Sequence, residues 1–242
     1  MRLLRKIGML WCLFAMGSAT AFSFDGPRSF GTDWSDAVRF VNEHRQEWQS
    51  EWEYFNVDAQ KVIAVVFPEM VRFSAWKDRL EMTAVNGMYV SGGKEAADFS
   101  VGRFQMKPSF AETIERAWNR SPFSESYGFS FDVSDSPSAR RSRLRRLDTF
   151  SGQCRYLALF ILLQYHLHPQ LRQLSDREQI RALATFYNCS FTLSWDEMIR
   201  RQNVRSFHTD IVRTPLTTCY CYADIAEAYY LRAKRTNAHH RK

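Results

Sequence analysis

Apolar residues recur at steps of three and four positions through most of the chain, which predicts a mainly α-helical protein. The first such run covers residues 33–55, where Asp33 is placed to cap a helix. The second run, "AQKVIAVVF" after Asp58, is almost uniformly apolar, so we expect this helix at the centre of the core. A third helix is predicted over about 71–85, and the second helix is therefore expected to end near Glu69.

The pattern changes between residues 87 and 108. Four glycines fall within the first 16 of these positions, and "MYVSGG" and "DFSVGRFQM" have the composition of short strands. Pro108 then stands just inside the start of the next helix, where its missing N–H group has no helical partner to lose. The sequence therefore predicts a small irregular β-hairpin between two helices.

The segment 121–138 is rich in serine, and its alternation in "YGFSFDV" predicts a loop, or a lid with a short strand. Helical periodicity resumes near Leu147. Two later helices carry capping boxes, in which a serine is followed three residues on by a glutamate: Ser175 with Glu178, and Ser194 with Glu197. The run "YADIAEAYYLRAK" predicts a last amphipathic helix.

The N-terminal residues have the pattern of a secretory signal peptide, with three basic residues before a short apolar run and with Ala19 and Ala21 before a cleavage point. The apolar run is shorter than the roughly 20 residues that span a bilayer, which argues against a membrane anchor. We therefore expect residues 1–21 to be removed and the mature chain, periplasmic or secreted, to have no transmembrane segment. The remainder divides into an N-terminal helical extension (22–57) and one larger domain (58–242).

Removing residues 1–21 lowers the formal charge from +7 to +4. This modest surplus favours an anionic polymer such as a cell wall, although charge alone does not separate that partner from nucleic acid or a membrane surface. The arginines cluster in "ARRSRLRR" (139–146) and in the tail (232–242). Such runs are expected mainly on solvated faces.

Four cysteines remain in the mature chain, namely Cys154, Cys189, Cys219 and Cys221. An even count in an exported protein suggests disulfides. A bridge from Cys219 to Cys221 would close a strained ring, so each is expected to pair with one of the other two, with free buried thiols as the alternative. The C-x-C pair has no second Cys or His pair at zinc-finger spacing, so we expect no metal site.

Glu69 is the strongest candidate for chemistry, because it follows five apolar residues and Pro68. A carboxyl group in such surroundings loses hydration, and burial disfavours its charged form, so its pKa is expected to be raised. A raised pKa suits a general acid at neutral pH. The alternative is a glutamate at a helix end that points into water.

Three segments occur in the order, and with roughly the separations, found in one group of enzymes. Glu69 is followed by "GRFQMKP" (102–108) and then by "ALATFYNCS" (182–190). Over about 55–200 the chain resembles the soluble lytic transglycosylase and goose-type lysozyme group of the lysozyme-like superfamily. In that group a catalytic glutamate precedes a Gly-Leu-Met-Gln element with a proline three residues on, and later an Ala-Tyr-Asn-Ala-Gly element.

This chain departs from the pattern of the group in three places. The serine directly after the glutamate is Met70 here, and the small residues after Tyr-Asn are Cys189 and Ser190. The separation of Glu69 and Gln105, 36 positions, is longer than usual. These departures leave the acid in place and indicate a divergent branch.

The resemblance implies a lysozyme-like helical domain whose small irregular β-hairpin lines a sugar-binding cleft opposite Glu69. It implies cleavage of the β-1,4 bond between N-acetylmuramic acid and N-acetylglucosamine, by a monomer with no cofactor, whose partner is a peptidoglycan glycan strand and not nucleic acid. In the transglycosylase version Glu69 protonates the glycosidic oxygen. The same glutamate then takes a proton from the C6 hydroxyl, which closes a 1,6-anhydro ring.

The resemblance also implies which residues hold the sugars. Gln105 and the backbone around Phe104 and Met106 are expected to hydrogen-bond acetamido groups. Apart from the resemblance, Phe104 and Tyr127 are candidates to stack on sugar faces, although 19 phenylalanines make any single aromatic a weak choice. Tyr187 is expected close to the catalytic glutamate, with a plain core aromatic as the alternative. Asn188 is expected to fix the local backbone or to cap a helix.

A hydrolytic version needs a second carboxylate, about 6.5–9.5 Å from the first, to activate a water. Asp98 in the predicted hairpin is the better candidate and Glu81 the other, while a turn-capping aspartate is the alternative for Asp98. The alternative function is a catalytically silent envelope module that keeps the cleft and uses its arginine-rich stretches to hold an anionic wall or a partner protein of the envelope. A binding cleft has no use for a desolvated acid, which favours the enzyme.

Overall fold

The computed structural model describes residues 24–76 and 83–239. The signal peptide predicted over 1–21, and Glu81, lie outside these residues. The described helices confirm a mainly α protein: α1 Gly26–Phe30, α2 Thr32–Tyr54, α3 Ala59–Trp76, α4 Thr83–Gly92, α5 Pro108–Asn119, α6 Pro122–Ser126, α7 Pro137–Leu147, α8 Phe150–Leu167, α9 Asp176–Cys189, α10 Trp195–Arg201 and α11 Tyr222–His239. Short 3-10 turns cover Gly93–Glu95 and Pro169–Gln173, and two strands cover β1 Arg205–Phe207 and β2 Tyr220–Cys221.

Helix α3 lies at the centre of the core, as its uniform apolarity predicted. It packs against α2, α9 and α11. Its side chains Val62, Val66, Phe67 and Val71 are completely buried. Full burial on several sides explains why this helix lacks the polar stripe that a surface helix carries.

Helix α2 packs into the same core as the later helices. Trp48 and Trp52 are fully buried, and the Trp48 ring lies 6.0 Å from that of Phe104. The indole N–H of Trp52 donates a 3.0 Å hydrogen bond to the backbone oxygen of Cys154 in α8. The segment predicted as an N-terminal extension therefore contributes part of the core.

The expectation that the second helix ends near Glu69 is wrong, because α3 continues through Pro68 to Trp76. A proline inside a helix costs roughly 3 kcal/mol, since it removes one N–H donor and crowds the carbonyl four residues earlier. Burial of the surrounding apolar side chains offsets this cost. Residues 71–76, predicted as the start of a third helix, belong to α3.

The segment 88–92 is the end of α4 and not a strand. Arg140 explains why the helix persists despite its glycines: its Nε donates to the backbone oxygen of Val90 at 2.9 Å and its Nη2 to that of Ser91 at 3.0 Å. A cation that satisfies the last carbonyls stabilises a helix C-terminus. Tyr89 anchors the same turn by complete burial.

The remainder of the predicted hairpin is a tight turn closed by one antiparallel bridge between Val101 and Met106. The two-stranded antiparallel sheet, β1 with β2, lies elsewhere, with Arg205 opposite Cys221 and Phe207 opposite Tyr220. Strands of three and two residues are too short to show alternation, which is why the sequence did not indicate them.

The serine-rich segment 121–138 contains α6 and an irregular stretch, and the described residues form no strand there. Its aromatic residues pack inward, since the Phe129 ring lies 4.8 Å from the buried Trp118. The Asn119 side chain donates to the backbone oxygen of Phe131 at 2.8 Å and accepts from its N–H at 2.9 Å. This anchoring makes the segment a packed loop and not a lid.

The sequence signals for helix starts are confirmed at α3, α5, α9 and α10. Asp58 accepts a 2.8 Å hydrogen bond from the backbone N–H of Gln60 at the start of α3, and Pro108 is the first residue of α5. Helix α2, by contrast, begins after Gly31, so Asp33 lies in its first turn and is not its cap. Both capping boxes form, with reciprocal serine and glutamate hydrogen bonds at α9 and α10.

The arginine cluster 139–146 is divided between surface and interior, which corrects in part the expectation of a solvated face: Arg141 and Arg145 are exposed, whereas two others are buried. Arg140 and Arg143 are 7% and 1% exposed. Arg143 pairs with Glu115 of α5, which has no exposed surface. Charges are buried only when they are paired, so this cluster joins α5 to α7 as an internal ion pair.

The four cysteines of the expected mature chain are free thiols, and the predicted disulfides do not form. Cys154 and Cys221 are buried in the core, and burial raises the pKa of the Cys154 thiol. Within residues 24–76 and 83–239, no helix is both long enough and apolar enough to cross a membrane.

Candidate active site

Glu69 lies inside α3, one residue after Pro68, and is only 5% exposed. Its neighbours Phe67 and Met70 are buried in the core. Pro68 has no N–H group, so it gives no helical hydrogen bond to the carbonyl oxygen of Ala64. The carboxyl group is thus held at a break in helical bonding, and not at the helix end that the sequence predicted.

Burial raises the pKa of Glu69 from 4.5 to about 7, while the charge of Arg72 and its hydrogen bond limit the rise. Arg72 Nη1 lies 3.1 Å from Oε2 and 3.5 Å from Oε1 of the glutamate. These opposing effects leave the carboxyl group close to half protonated at neutral pH. The raised pKa agrees with the expectation from the apolar sequence around the residue.

The guanidinium group of Arg72 is held by the end of β1. Its Nε donates a 3.0 Å hydrogen bond to the backbone oxygen of His208, and its Cζ lies 4.1 Å from the centre of the Phe207 ring. Sequence analysis missed Arg72, because the groups that fix it are 136 positions away. Its spacing of three residues from Glu69 on one helix is the signal that could have found it.

Gln105 stands on the turn closed by Val101 and Met106, and its φ of 50° lies in the left-handed region. Non-glycine residues adopt this conformation at a cost, and such residues are frequent at functional sites. Gly102 has a φ of 65°, and a Cβ there would lie 1.7 Å from Nε2 of Gln153. Only glycine therefore fits this turn.

Gln153 of α8 holds the same turn in place through side-chain hydrogen bonds. Its Oε1 accepts a 3.1 Å hydrogen bond from the backbone N–H of Phe104, and its Nε2 donates at 2.6 Å to the backbone oxygen of Leu147. Gln105 Nε2 donates to the carbonyl oxygen of Gly102 at 2.8 Å, which orients its side chain. The break in helical pattern at 97–108 thus forms one rigid wall of the site.

Phe104 and Met106 do not offer what the resemblance implied. The Phe104 side chain is completely buried, so it cannot stack on a sugar. Its N–H and carbonyl groups already bond to Gln153 and Tyr187. The backbone N–H and oxygen of Met106 bond to Val101 at 3.1 and 2.9 Å. Met106 still lines the cavity beside Glu69, but of these three side chains only that of Gln105 offers a polar group to a ligand.

Tyr187, near the end of α9, joins the turn to the glutamate. Its hydroxyl donates a 2.7 Å hydrogen bond to the backbone oxygen of Phe104, and its ring packs 5.2 Å from Phe110 and 5.6 Å from Phe160. Burial, and then the charge of Glu69, raise the pKa of this phenol well above its usual value. Tyr187 is thus both a packed aromatic and a neighbour of the carboxyl group.

Asn188 follows in the last turn of α9, and Ser190 caps that helix. The Asn188 Nδ2 lies 3.8 Å from the Sγ of Cys189. This long contact with sulfur is weak. The residue therefore neither caps the helix nor fixes the backbone through the bonds that its side chain makes here.

Tyr222, the first residue of α11, is a neighbour of the site that sequence analysis missed. Burial, and then the charges of Glu69 and Tyr187, raise its pKa well above the usual value. Its hydroxyl is buried and has no hydrogen-bond partner among the described residues. Its ring packs 5.2 Å from Phe207, beneath the group that holds Arg72. Only the fold brings this N-terminus of α11 to Glu69.

Asp98 has a structural role. Its two oxygens accept hydrogen bonds from the backbone N–H and the hydroxyl of Ser109, at 3.1 and 2.8 Å, at the start of α5. Lys107 Nζ lies 3.6 Å away. Asp98 does not line the cavity at Glu69, so the capping alternative describes this residue.

A cavity of about 410 Å³ brings Glu69, Gln105, Tyr187 and Asn188 to one wall. It also holds a second carboxyl group that sequence analysis missed, that of Glu112 on α5. The Glu112 carboxylate accepts hydrogen bonds of 3.0 and 2.7 Å from Arg116, so its charge is balanced by a cation on the same helix.

Two further cavities adjoin this one along the segment 188–193. One, of about 380 Å³, shares Asn188 and Cys189 with it, and the other, of about 470 Å³, shares Phe191 and Thr192. The cavity that contains Glu69 is thus the middle member of the three, and we call it the groove.

No family model, curated protein or solved structure matches this chain. Among the described residues, no group of three or more His, Cys, Asp or Glu side chains is placed to hold a metal ion. What the site can do therefore follows from its own geometry. A half-protonated carboxyl group beside a groove can give a proton to a bound ligand and take one back.

The raised pKa of Glu69 makes a prediction about stability. Its pKa in the folded protein, about 7, exceeds the ordinary 4.5, so the folded state holds a proton that the unfolded state releases between these values. Stability from this group is complete below about pH 4.5 and is lost as the pH rises to about 7. Glutamine does not titrate, so the Glu69→Gln protein does not lose stability in this way. The free energy of unfolding of Glu69→Gln minus that of the native protein should therefore increase by about 3 kcal/mol between about pH 4 and pH 8.

Chemical denaturation of both proteins across this pH range measures the difference. Glu53→Gln, on an exposed part of α2, controls for the loss of one surface carboxyl group. Parallel stability curves for the native protein and Glu69→Gln would contradict the raised pKa.

Proposed function

We propose that this protein cleaves the glycan strands of peptidoglycan as a lytic transglycosylase, with Glu69 as the general acid and base. The observation that carries the proposal is a buried carboxyl group, its pKa raised to about 7, on a cavity wall shared with Gln105 and Tyr187. These are the three motif positions on which the resemblance to lytic transglycosylases rests. A peptidoglycan substrate requires an exported protein, periplasmic or secreted.

The two proton transfers of this reaction suit a group that titrates near neutral pH. Protonated Glu69 gives its proton to the glycosidic oxygen as the bond to the sugar breaks. The resulting carboxylate is stabilised by Arg72, 3.1 Å away. It then takes the proton of the C6 hydroxyl, whose oxygen bonds to the anomeric carbon and closes the anhydro ring. The glutamate ends protonated, so no water is consumed.

The polar groups of the cavity fit an amino sugar. Its lining residues Gln105 and Asn188 carry side-chain amides, and Ser109 and Thr113 carry hydroxyl groups that donate within the protein and can still accept. Amides and hydroxyls pair with acetamido and sugar hydroxyl groups through neutral hydrogen bonds. The two cavities that share lining residues with it are where further units of the strand would bind, and the protein acts as a monomer.

Only one carboxyl group is needed in this mechanism, which agrees with the surroundings of the others. Asp98 is held by Ser109 outside the cavity, and Glu112 is paired with Arg116 within it. A hydrolase would need a second carboxylate that is free to activate water. Of the two, Glu112 is the one that a hydrolytic mechanism would use.

Mass spectrometry of the products from purified sacculi tests the proposal. We expect soluble muropeptides with anhydro ends, which are lighter by one water than the reducing ends of a hydrolase. Glu69→Gln, purified in the same way, is the control for contaminating enzymes, because a contaminant would release the same products from both samples. Reducing ends would overturn the transglycosylase mechanism and point to Glu112 as the second group.

A catalytically silent envelope module is the second candidate, and the ion pair of Glu69 with Arg72 is the observation that favours it. A buried carboxylate held by an arginine can be purely structural. In that case the protein binds sacculi in a pull-down assay but releases no soluble fragments. Release of fragments by the native protein would exclude this candidate.

A further inference from the structure

The loop 208–219, which joins β1 to β2, exposes apolar side chains at its tip, and we call it the apolar loop. Leu216 is 94% exposed, Val212 71% and Ile211 48%. Single exposed apolar residues are ordinary on a protein surface, but three within six positions of one loop form a local apolar projection. The pairing of Phe207 with Tyr220 fixes the base of this loop.

A turn at residues 214–217 directs the projection outward. The N–H of Thr217 donates to the backbone oxygen of Thr214 at 3.1 Å, and the N–H of Thr214 donates to the Thr217 hydroxyl at 2.9 Å. The N–H of Leu216 donates to the Thr214 hydroxyl at 3.3 Å. Backbone donors that are already bonded can enter an apolar medium without the cost of a lost hydrogen bond.

The hairpin that carries the apolar tip is basic. Arg213 is exposed on the apolar loop, Arg205 is exposed at the base of the hairpin, and Arg200 and Arg201 are exposed at the end of α10, just before it in sequence. The one acidic residue among positions 199–219 is Asp210. An apolar tip on a basic hairpin complements a surface that has an apolar interior and anionic groups at its boundary.

We propose that the apolar loop inserts into the interface of an anionic phospholipid bilayer. Leu216 and Val212 enter the boundary of the acyl chains, and the arginines lie at the level of the lipid phosphates. The tip is convex, whereas a groove would be expected if the surface were to hold a peptide. This inference goes beyond the proposed function and does not depend on it, because none of the loop residues acts on glycan.

Co-sedimentation with vesicles tests this proposal. All variants are produced as residues 22–242, which hold every described element, because the apolar N-terminal run would itself enter a bilayer. We expect binding to phosphatidylcholine vesicles that contain about 30% phosphatidylglycerol, weaker binding at about 0.5 M salt, and at least about tenfold weaker binding to pure phosphatidylcholine.

Val212→Asp combined with Leu216→Asp should weaken binding to the anionic vesicles by at least about tenfold. Met88→Asp combined with Leu167→Asp is the matched control. These residues are 53% and 49% exposed and lie on α4 and α8, outside the apolar loop. Circular dichroism checks that both variants fold. Equal binding by the loop variant and the native protein, or no binding of the native protein to anionic vesicles, would overturn the proposal. A concentration-dependent dimer that the loop variant abolishes, without vesicle binding, would instead make the loop a contact between two copies.

Discussion

Glu69→Gln is expected to lower the release of soluble muropeptides from sacculi by about 10²- to 10⁴-fold. Glutamine has nearly the same shape but neither gives nor takes a proton at this position. The same side chain supplies both proton transfers in the proposed mechanism, so the loss falls on the rate of cleavage and not on binding. Turnover is measured as soluble muropeptide per time, and binding as protein that sediments with the sacculi.

Asp98→Asn is the matched control for this substitution. Asparagine can still accept from the N–H of Ser109 and donate to its hydroxyl, so the start of α5 should stay intact. We expect activity within a few-fold of the native rate. Unchanged turnover by Glu69→Gln, or an equal loss in the folded Asp98→Asn protein, would defeat the assignment of a single acid and base.

Glu115→Ala is expected to lower the free energy of unfolding by about 3–5 kcal/mol. Glu115 is fully buried and accepts from Arg143 Nε at 2.8 Å, from Arg146 Nη2 at 2.7 Å and from the Tyr156 hydroxyl. Truncation leaves Arg143, 1% exposed, as a buried cation whose nearest remaining carboxylate, that of Glu112, is 3.9 Å away. The cost comes from that uncompensated charge and not from the net strength of the pair.

Urea denaturation of the native protein and of two variants measures this effect. Glu112→Ala, on the same helix, removes a carboxylate that pairs with the 39% exposed Arg116 and lies 3.9 Å from Arg143, which keeps Glu115 in this variant, so its cost should be about 1 kcal/mol or less. Glu115 does not line the cavity at Glu69, so its substitution tests the stability of the fold and not the candidate site. A cost below about 1 kcal/mol for Glu115→Ala would mean that the arginines find water or other partners once the carboxylate is gone.

Local signals predicted the helices well, because capping and periodicity depend on residues that are neighbours in sequence. The serine and glutamate pairs at 175–178 and 194–197 form their boxes, and Asp58 and Pro108 mark helix starts. The same local reasoning failed at Pro68 and at 88–92. At Pro68, burial in the core outweighs the local preference against a helix. At 88–92, the hydrogen bonds of the Arg140 side chain do so.

Sequence analysis could propose site residues that stand in a motif. It could not propose residues that approach the site only through tertiary packing. Glu69 was singled out by its apolar surroundings, and Gln105 and Tyr187 by the resemblance of their segments to the lytic transglycosylase group; all three line one cavity. Arg72 and Tyr222 were not found, because Phe207 and the start of α11 reach the glutamate only through long-range packing. The burial of Arg143 likewise required Glu115, a single acidic residue 28 positions earlier.

The close approach of Gly102 to Gln153 links the turn that lines the groove to helix α8 in the interior. Any side chain at position 102 would meet the Gln153 amide at 1.7 Å, and displacing that amide would release both Phe104 and Leu147. The two positions can therefore change only together during evolution. Variation that retunes this groove for other ligands is left to its exposed lining residues, such as Lys94, Lys107 and Thr192.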